Sequence, residues 1–200
     1  MPNWCWGYIE LKGKPKDVEN FCKLFVFEDE VDKDDSKKGQ KYFARSFVHQ
    51  NWKDFKKEYF GDITTEKEWD ISFNVDFAWS CWSCLFEGYP DDWKECVTLK
   101  WAIKKYNVNV KIETEEGGMC FEEKIITRNK KPIYESFDMP EHICQKCGNE
   151  QMIASSYDLE DVECYECGEY GKWKDELTEI VKKKLEKISS EKIKKIKGKK

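Results

Sequence analysis

Two short motifs, Cys144-Gln145-Lys146-Cys147-Gly148 and Cys164-Tyr165-Glu166-Cys167-Gly168, hold the residues of this sequence best suited to chemistry. Each is a C-x-x-C-G knuckle, and sixteen residues separate Cys147 from Cys164. Four thiolates in two close pairs satisfy a tetrahedral Zn(II) ion, and the glycine after each second cysteine permits the tight turn that aims backbone N–H groups at sulfur. The expected ligands are Cys144, Cys147, Cys164 and Cys167. Because sulfur fills all four positions, none is left for water, and the metal is expected to be structural rather than catalytic. Two disulfides or an iron–sulfur site are the alternatives the same cysteines allow. The roughly thirty residues around the knuckles are too few for an apolar core of their own, so metal binding is expected to supply much of their folding free energy.

A further C-x-x-C, Cys81-Trp82-Ser83-Cys84, has the spacing of a thiol redox pair. Such a pair needs its first sulfur at a helix N-terminus, whereas the next helix is expected only near Pro90. Structural thiols are the preferred reading; a redox protein using Cys81 and Cys84, or a second metal site with Cys96 or Cys120, are the alternatives. Cys5 and Cys22 are expected in the core, and His142 and His49 as ordinary linker or surface histidines. The carboxylate pairs Asp91-Asp92, Glu115-Glu116 and Glu122-Glu123 are expected at the surface, as a chain with 40 acidic residues would produce by chance. The sequence contains no phosphate-binding glycine loop, no G-x-S-x-G elbow and no H-E-x-x-H helix. No catalytic set is therefore assigned, and a non-enzymatic role is expected.

The elements that must carry these residues can be read from periodicity. Trp4 to Lys12 predicts a strand ended by Gly13, and Pro15 opens a helix whose Val18, Phe21, Cys22 and Phe25 share one face. An acidic run, Glu28 to Asp35, breaks the pattern. Tyr42 to Val48 predicts a strand, and Trp52 to Phe60 a short helix capped by Asn51. Trp69, Ile71, Phe73, Val75, Phe77 and Trp79 alternate with smaller or polar residues, the pattern of a strand with one wet face. A helix from about Pro90 to Tyr106 and a hairpin, Val108 to Glu113 with Met119 to Thr127, follow. Pro132 and Pro140 are read as bracketing a linker. The expected fold class is α+β: a ferredoxin-like split β-α-β sheet with helices on one face, plus a small four-cysteine zinc ribbon and a C-terminal Lys-rich helix. The expected divisions are 1–137 for the acidic body, 138–172 for the ribbon and 173–200 for the helix and tail. Most of the nine tryptophans are expected in the core, Trp69 and Trp79 among them, with Trp52, Trp82 and Trp93 the candidates for exposure.

The 200 residues carry 35 basic and 40 acidic side chains, net −5. That value conceals two opposite parts. Residues 181–200 hold ten Lys and two Glu, +8, which leaves 25 basic and 38 acidic residues, −13, before them. A body of that sign repels a phosphate backbone, so a nucleic-acid contact would have to use the tail, where Leu177, Ile180, Val181, Leu185 and Ile188 form an apolar stripe beside Lys182, Lys183, Lys184 and Lys187. No stretch approaches the roughly 18 apolar residues of a membrane span, and no secretory leader is read at Met1-Pro2-Asn3-Trp4. A cytoplasmic protein with reduced cysteines is expected.

The opening Met1-Pro2-Asn3-Trp4-Cys5, the strand, Gly13 and helix that follow, and the later Trp69-Asp70 and Ala78-Trp79-Ser80 resemble the YubB ferredoxin-like family of phage and plasmid proteins over residues 1 to about 130. Where that family tends to have prolines after its Trp-Ser, this chain has Cys81-Trp82-Ser83-Cys84. The resemblance implies a ferredoxin-like sheet and a mobile-element origin, with no established activity to carry over. The functional expectation is a non-enzymatic phage or mobile-element protein that binds a host protein or nucleoprotein complex, extending to inhibition of a host defence complex through its acidic surface. The rival expectation is a zinc-ribbon protein that binds nucleic acid through its basic end.

Overall fold

The alternation of the first strand dictates the main sheet. In β1 (Trp4–Gly13), Cys5, Gly7, Ile9 and Leu11 point one way and Trp4, Trp6, Tyr8 and Glu10 the other. The first set is apolar and must be covered; the second mixes rings and charges and tolerates water. The computed structural model describes residues 3–25, 41–61, 67–86 and 96–175. The chain is α+β and divides into two units, Met1–Phe137 and Asp138–Lys200.

In the first unit, β1 pairs antiparallel with β3 (Trp69–Ala78) on one side and β4 (Asn109–Glu116) on the other. The short β2 (Ser46–Phe47) extends the β3 edge, and β5 (Phe121–Arg128) and β6 (Lys131–Asp138) extend the β4 edge, giving the order β2-β3-β1-β4-β5-β6. The register aligns Ile9 with Phe73 and Ile112, and Ile112 with Ile125, in one buried row. Helices α1 (Pro15–Cys22), α2 (Trp52–Phe60), α3 (Cys81–Leu85) and α4 (Leu99–Tyr106) accompany the sheet. Phe25, which follows α1, lies 6.0 Å from Phe73, and Phe55 of α2 lies 5.0 Å from it, so ring contacts weld helix to sheet.

Several expectations change at this level. The strand expected over 42–48 is only Ser46–Phe47, because Tyr42 makes a lone bridge to Cys96 instead. The helix expected from Pro90 starts, within the described residues, at Leu99, where the Thr98 side chain accepts a hydrogen bond from the Trp101 N–H. The segment read as a linker after Pro132 is strand β6, reached through a two-residue turn in which Asn129 and Lys130 both have positive φ (51° and 60°). That backbone is the one whose twist suits a tight hairpin. Trp79 does not continue the apolar face: its φ of 71° turns it out of the strand, and it is 44% exposed. Glu28 to Asp35, Asp91-Asp92, Trp93, and the tail residues Leu177 to Ile188 lie outside the described residues.

The second unit is a three-stranded sheet, β8 (Glu150–Met152), β7 (Glu141–Cys144) and β9 (Trp173–Asp175) in that order. Trp173 to Asp175, expected to open a helix, is therefore a strand paired to β7. Its core is small: Cys144, Ile153, Cys164 and Trp173, with Leu159, Val162 and Cys167 packed beside them.

Candidate functional site

The two knuckles are built alike. In the first, the Gly148 N–H donates to the Cys144 carbonyl at 2.9 Å and the Cys144 N–H donates to the Asn149 carbonyl at 2.8 Å. In the second, Gly168 to Cys164 and Cys164 to Glu169 repeat the pattern at 2.9 Å each. Gly148 and Gly168 take φ of 78° and 65°, the left-handed conformation that a side chain disfavours. These turns bring the sulfurs of Cys144, Cys147, Cys164 and Cys167 within 4.8 Å of one another. Cys144 lies 3.7 Å from Cys167, and Cys147 lies 3.7 Å from Cys164. Four sulfurs around one ion at about 2.3 Å would stand about 3.8 Å apart, so the donor set fits a tetrahedral metal ion. It does not fit two disulfides, whose S–S bonds are about 2.0 Å. The cluster shares its protons unequally: the Cys147 backbone N–H lowers the Cys144 thiol to about 6, whereas the Asn149 N–H, which lowers Cys147, is outweighed by burial and hydrogen bonds to the other sulfurs, which push it up to about 12, and Cys167 is raised as well. Beside the knuckles, Glu169 joins Lys146 at 2.8 Å and Lys172 at 2.9 Å, which holds its carboxyl down to about 2.

His142 is no linker residue. It sits in β7, buried, and its Nδ1 has no hydrogen-bond partner among the described residues. It does not join the four cysteines. His49 is exposed, with Nε2 at 2.5 Å from an Asp76 carboxylate oxygen.

Cys81 and Cys84 occupy a different setting from the one expected. Helix α3 begins at Cys81 itself, with Ser80 as its cap, so the helix-terminus objection to redox chemistry falls. A stronger objection replaces it. Both thiols are buried, and burial, the largest cause, pushes Cys81 well above its usual value and Cys84 up to about 11. The Cys84 sulfur donates to the carbonyls of Arg45 at 3.2 Å and Ala78 at 3.6 Å. Among the described residues neither Cys96 nor Cys120 completes a ligand cluster with them.

Beneath α3 lies a carboxylate expected at the surface as one of the chance acidic pairs. Glu123 is buried on the core face of β5, opposite Thr114. One oxygen accepts from Ser80 Oγ at 2.5 Å and Tyr134 OH at 2.6 Å; the other accepts from the Cys81 N–H at 2.8 Å and Thr114 Oγ1 at 3.3 Å, with Cys5 Sγ at 3.7 Å. Burial first, and this carboxylate with it, drive Cys5 up to about 12. Glu116 is also buried, and its side chain accepts from the N–H groups of Gly118 and Met119 to close the β4–β5 turn. Glu115 and Glu122, one residue before each, face the other side of the sheet.

That other face carries rings that sequence reasoning missed. Trp4 and Trp6 are exposed, Trp6 at 52%, and Phe47 stands 5.3 Å from Trp4. The signal was present in the alternation of β1, whose inward-facing set includes the half-buried Gly7. A methyl group there would meet the Glu113 carbonyl at 2.2 Å, so the close approach of β4 fixes which face is inside. Of the tryptophans expected to be exposed, Trp82 is, whereas Trp52 is half-buried against Phe55. Among the described residues no helix is long and apolar enough to cross a membrane. Comparison of the chain with protein-family models, with curated proteins and with solved structures gave no match.

Proposed function

We propose that this chain is a non-enzymatic binding protein of a phage or related mobile element, in which an acidic sheet-based body engages a host protein or nucleoprotein complex and a structural Zn(II) stabilises the second unit. The observation that carries the reading is the solvent-facing side of the six-stranded sheet, where exposed Trp4 and Trp6 lie among Asp76, Glu115 and Glu122, with Glu10 and Glu113 paired to Lys111 and Lys124 beside them. Exposed tryptophans are enriched at recognition surfaces, and the charges around them set which partner is complementary. The order β2-β3-β1-β4, with α1 and α4 in the two crossovers, supports a ferredoxin-like core to which β5 and β6 are added. Four thiolates with about 3.7 Å between paired sulfurs suit zinc and leave no ligand position for a reacting water, which supports a structural role.

The test is affinity purification of the full chain from its natural host, with mass spectrometry and nucleic-acid detection on one eluate. A stoichiometric host protein or nucleoprotein whose capture is lost on Glu→Lys reversal at residues 115 and 122 is the expected result. Capture that survives the reversal overturns the role of the acidic surface. Nucleic acid alone in the eluate, lost on removing residues 181–200, establishes the zinc-ribbon nucleic-acid reading instead.

A further inference from the structure

We infer that the solvent-facing row Phe47–Asp76–Trp6–Glu115–Glu122 is the docking surface, and that its occupant is an arginine- and lysine-rich segment of the partner protein; this rests on the binding reading above. The five residues are consecutive neighbours across the sheet, Phe47 opposite Asp76, Asp76 opposite Trp6, Trp6 opposite Glu115, and Glu115 opposite Glu122. At about 4.8 Å per strand the row spans about 19 Å, enough for several residues of an extended chain. It contains two rings, three carboxylates and no basic residue. A guanidinium stacked on Trp6 would have a carboxylate one strand away on either side, within reach of its N–H edge.

The neighbouring row shows the same chemistry made internally. Tyr8, opposite Glu113, accepts at its hydroxyl from the Lys111 ammonium at 3.1 Å, and that ammonium, 5.2 Å from the ring centroid, pairs with Glu10 at 3.0 Å and Glu113 at 2.9 Å. A cation held at the edge of a ring by two carboxylates is thus an arrangement this face already makes. Asp76 already holds His49 Nε2 at 2.5 Å, so an incoming cation would share that carboxylate with the imidazole. Charge along the row disfavours the other occupants. A phosphate backbone would be set against three carboxylates, and a second copy of the chain, docked through the same face, would oppose one acidic row to another.

The experiment is titration of the full chain, at near-physiological salt, into a fluorescently labelled nona-arginine peptide, read by anisotropy. Trp6→Ala is expected to weaken binding about fivefold, the loss of one cation–π contact. Glu115→Gln with Glu122→Gln is expected to weaken it at least as much. Asp54→Asn with Glu58→Gln, an equal charge loss on helix α2, is expected to change it less than twofold. The inference is overturned if the α2 pair costs as much as the sheet pair, if Trp6→Ala has no effect, or if a 20-nucleotide single-stranded RNA binds and that binding is lost on Trp6→Ala. Self-association in sedimentation that Trp6→Ala abolishes also overturns it. Capturing partners from the host with the Trp6→Ala chain separates the two levels. Undiminished capture overturns this surface and leaves the binding reading standing; no capture and no peptide binding by the unaltered chain overturns both. Unchanged thermal melting shows that each variant is folded.

Discussion

Glu123 shows how far one buried carboxylate can organise its surroundings. It joins β5, β6, the β3–α3 junction, β4 and β1 through Tyr134, Ser80, the Cys81 N–H, Thr114 and Cys5. A carboxylate with that many donors is an acceptor hub, and replacing one oxygen by an NH2 group sets donor against donor in a dry site. Glu123→Gln is therefore expected to lower stability by about 2 kcal/mol in urea unfolding, whereas Glu122→Gln, facing outward, should shift it by no more than about 0.5 kcal/mol. Equal effects would show that the hub does not join these elements as described. The pair looked like two surface acids because adjacency hides parity: once β5 is a strand, one of any two neighbours must point inward. The same buried site bears on the thiols. With Cys5 raised to about 12 and Cys84 to about 11, principally by burial, native labelling with iodoacetamide at pH 8 should leave both unmodified. Rapid labelling of Cys84 would reinstate the redox reading.

At the scale of elements, periodic segments were legible and punctuation was not. Helices α1 and α2 and strands β1 and β3 follow from Pro15, Asn51 and the alternating residues, because each buries a face the sequence itself marks. Helix α3 has five residues, too few for any period, and its start depends on Ser80 capping the Trp82 N–H. Strand β6 was hidden by Pro132, which an edge strand tolerates because, among the described residues, that edge has no neighbour to receive the missing N–H. Helices α1 and α2 are also tied by charge: Glu19 of α1 receives Lys16 at 2.9 Å and Lys56 of α2 at 3.0 Å. Burial alone would raise this carboxyl, but the two lysines outweigh it and hold it below the usual 4.5. A carboxyl lowered on folding adds stability above its unfolded value and loses it as pH falls through its folded one. Lys56→Met should thus destabilise by up to about 1 kcal/mol at pH 7, with the deficit shrinking below about pH 4.5. A deficit that persists at pH 3 would mean that Lys56 acts through packing of its alkyl stem rather than through charge.

For the whole molecule, the division near residue 138 separates two kinds of stability. The first unit has a continuous core from Cys5 to Ile125, with Phe21, Phe25, Phe43, Phe55 and Phe77 fully buried. The second has, among the described residues, six buried apolar residues, two of them cysteines, of which only Cys144, Ile153, Cys164 and Trp173 form a cluster; this is too little to offset the entropy of ordering some forty residues at roughly 1 kcal/mol or more each. Spacing alone made this site legible, since two C-x-x-C-G motifs bring their own turns. The acidic sheet face was not, because it is assembled from five strands whose registers no local pattern specifies. From this asymmetry follows the response to metal removal. Treating the full chain with a strong chelator at neutral pH should abolish the protection of amides in β7, β8 and β9 against hydrogen exchange while leaving those of β1, β3 and β4 protected. Cys164→Ser should do the same without chelator, since three thiolates hold the ion less tightly and the second knuckle loses its anchor. Metal analysis of the untreated chain should give one ion per chain, and readdition should restore protection. Loss of protection in β1 together with β7 would show that the two units unfold as one. Retention of protection in β7 after complete metal loss would show that the small core around Trp173 suffices, and that the four cysteines serve something other than folding.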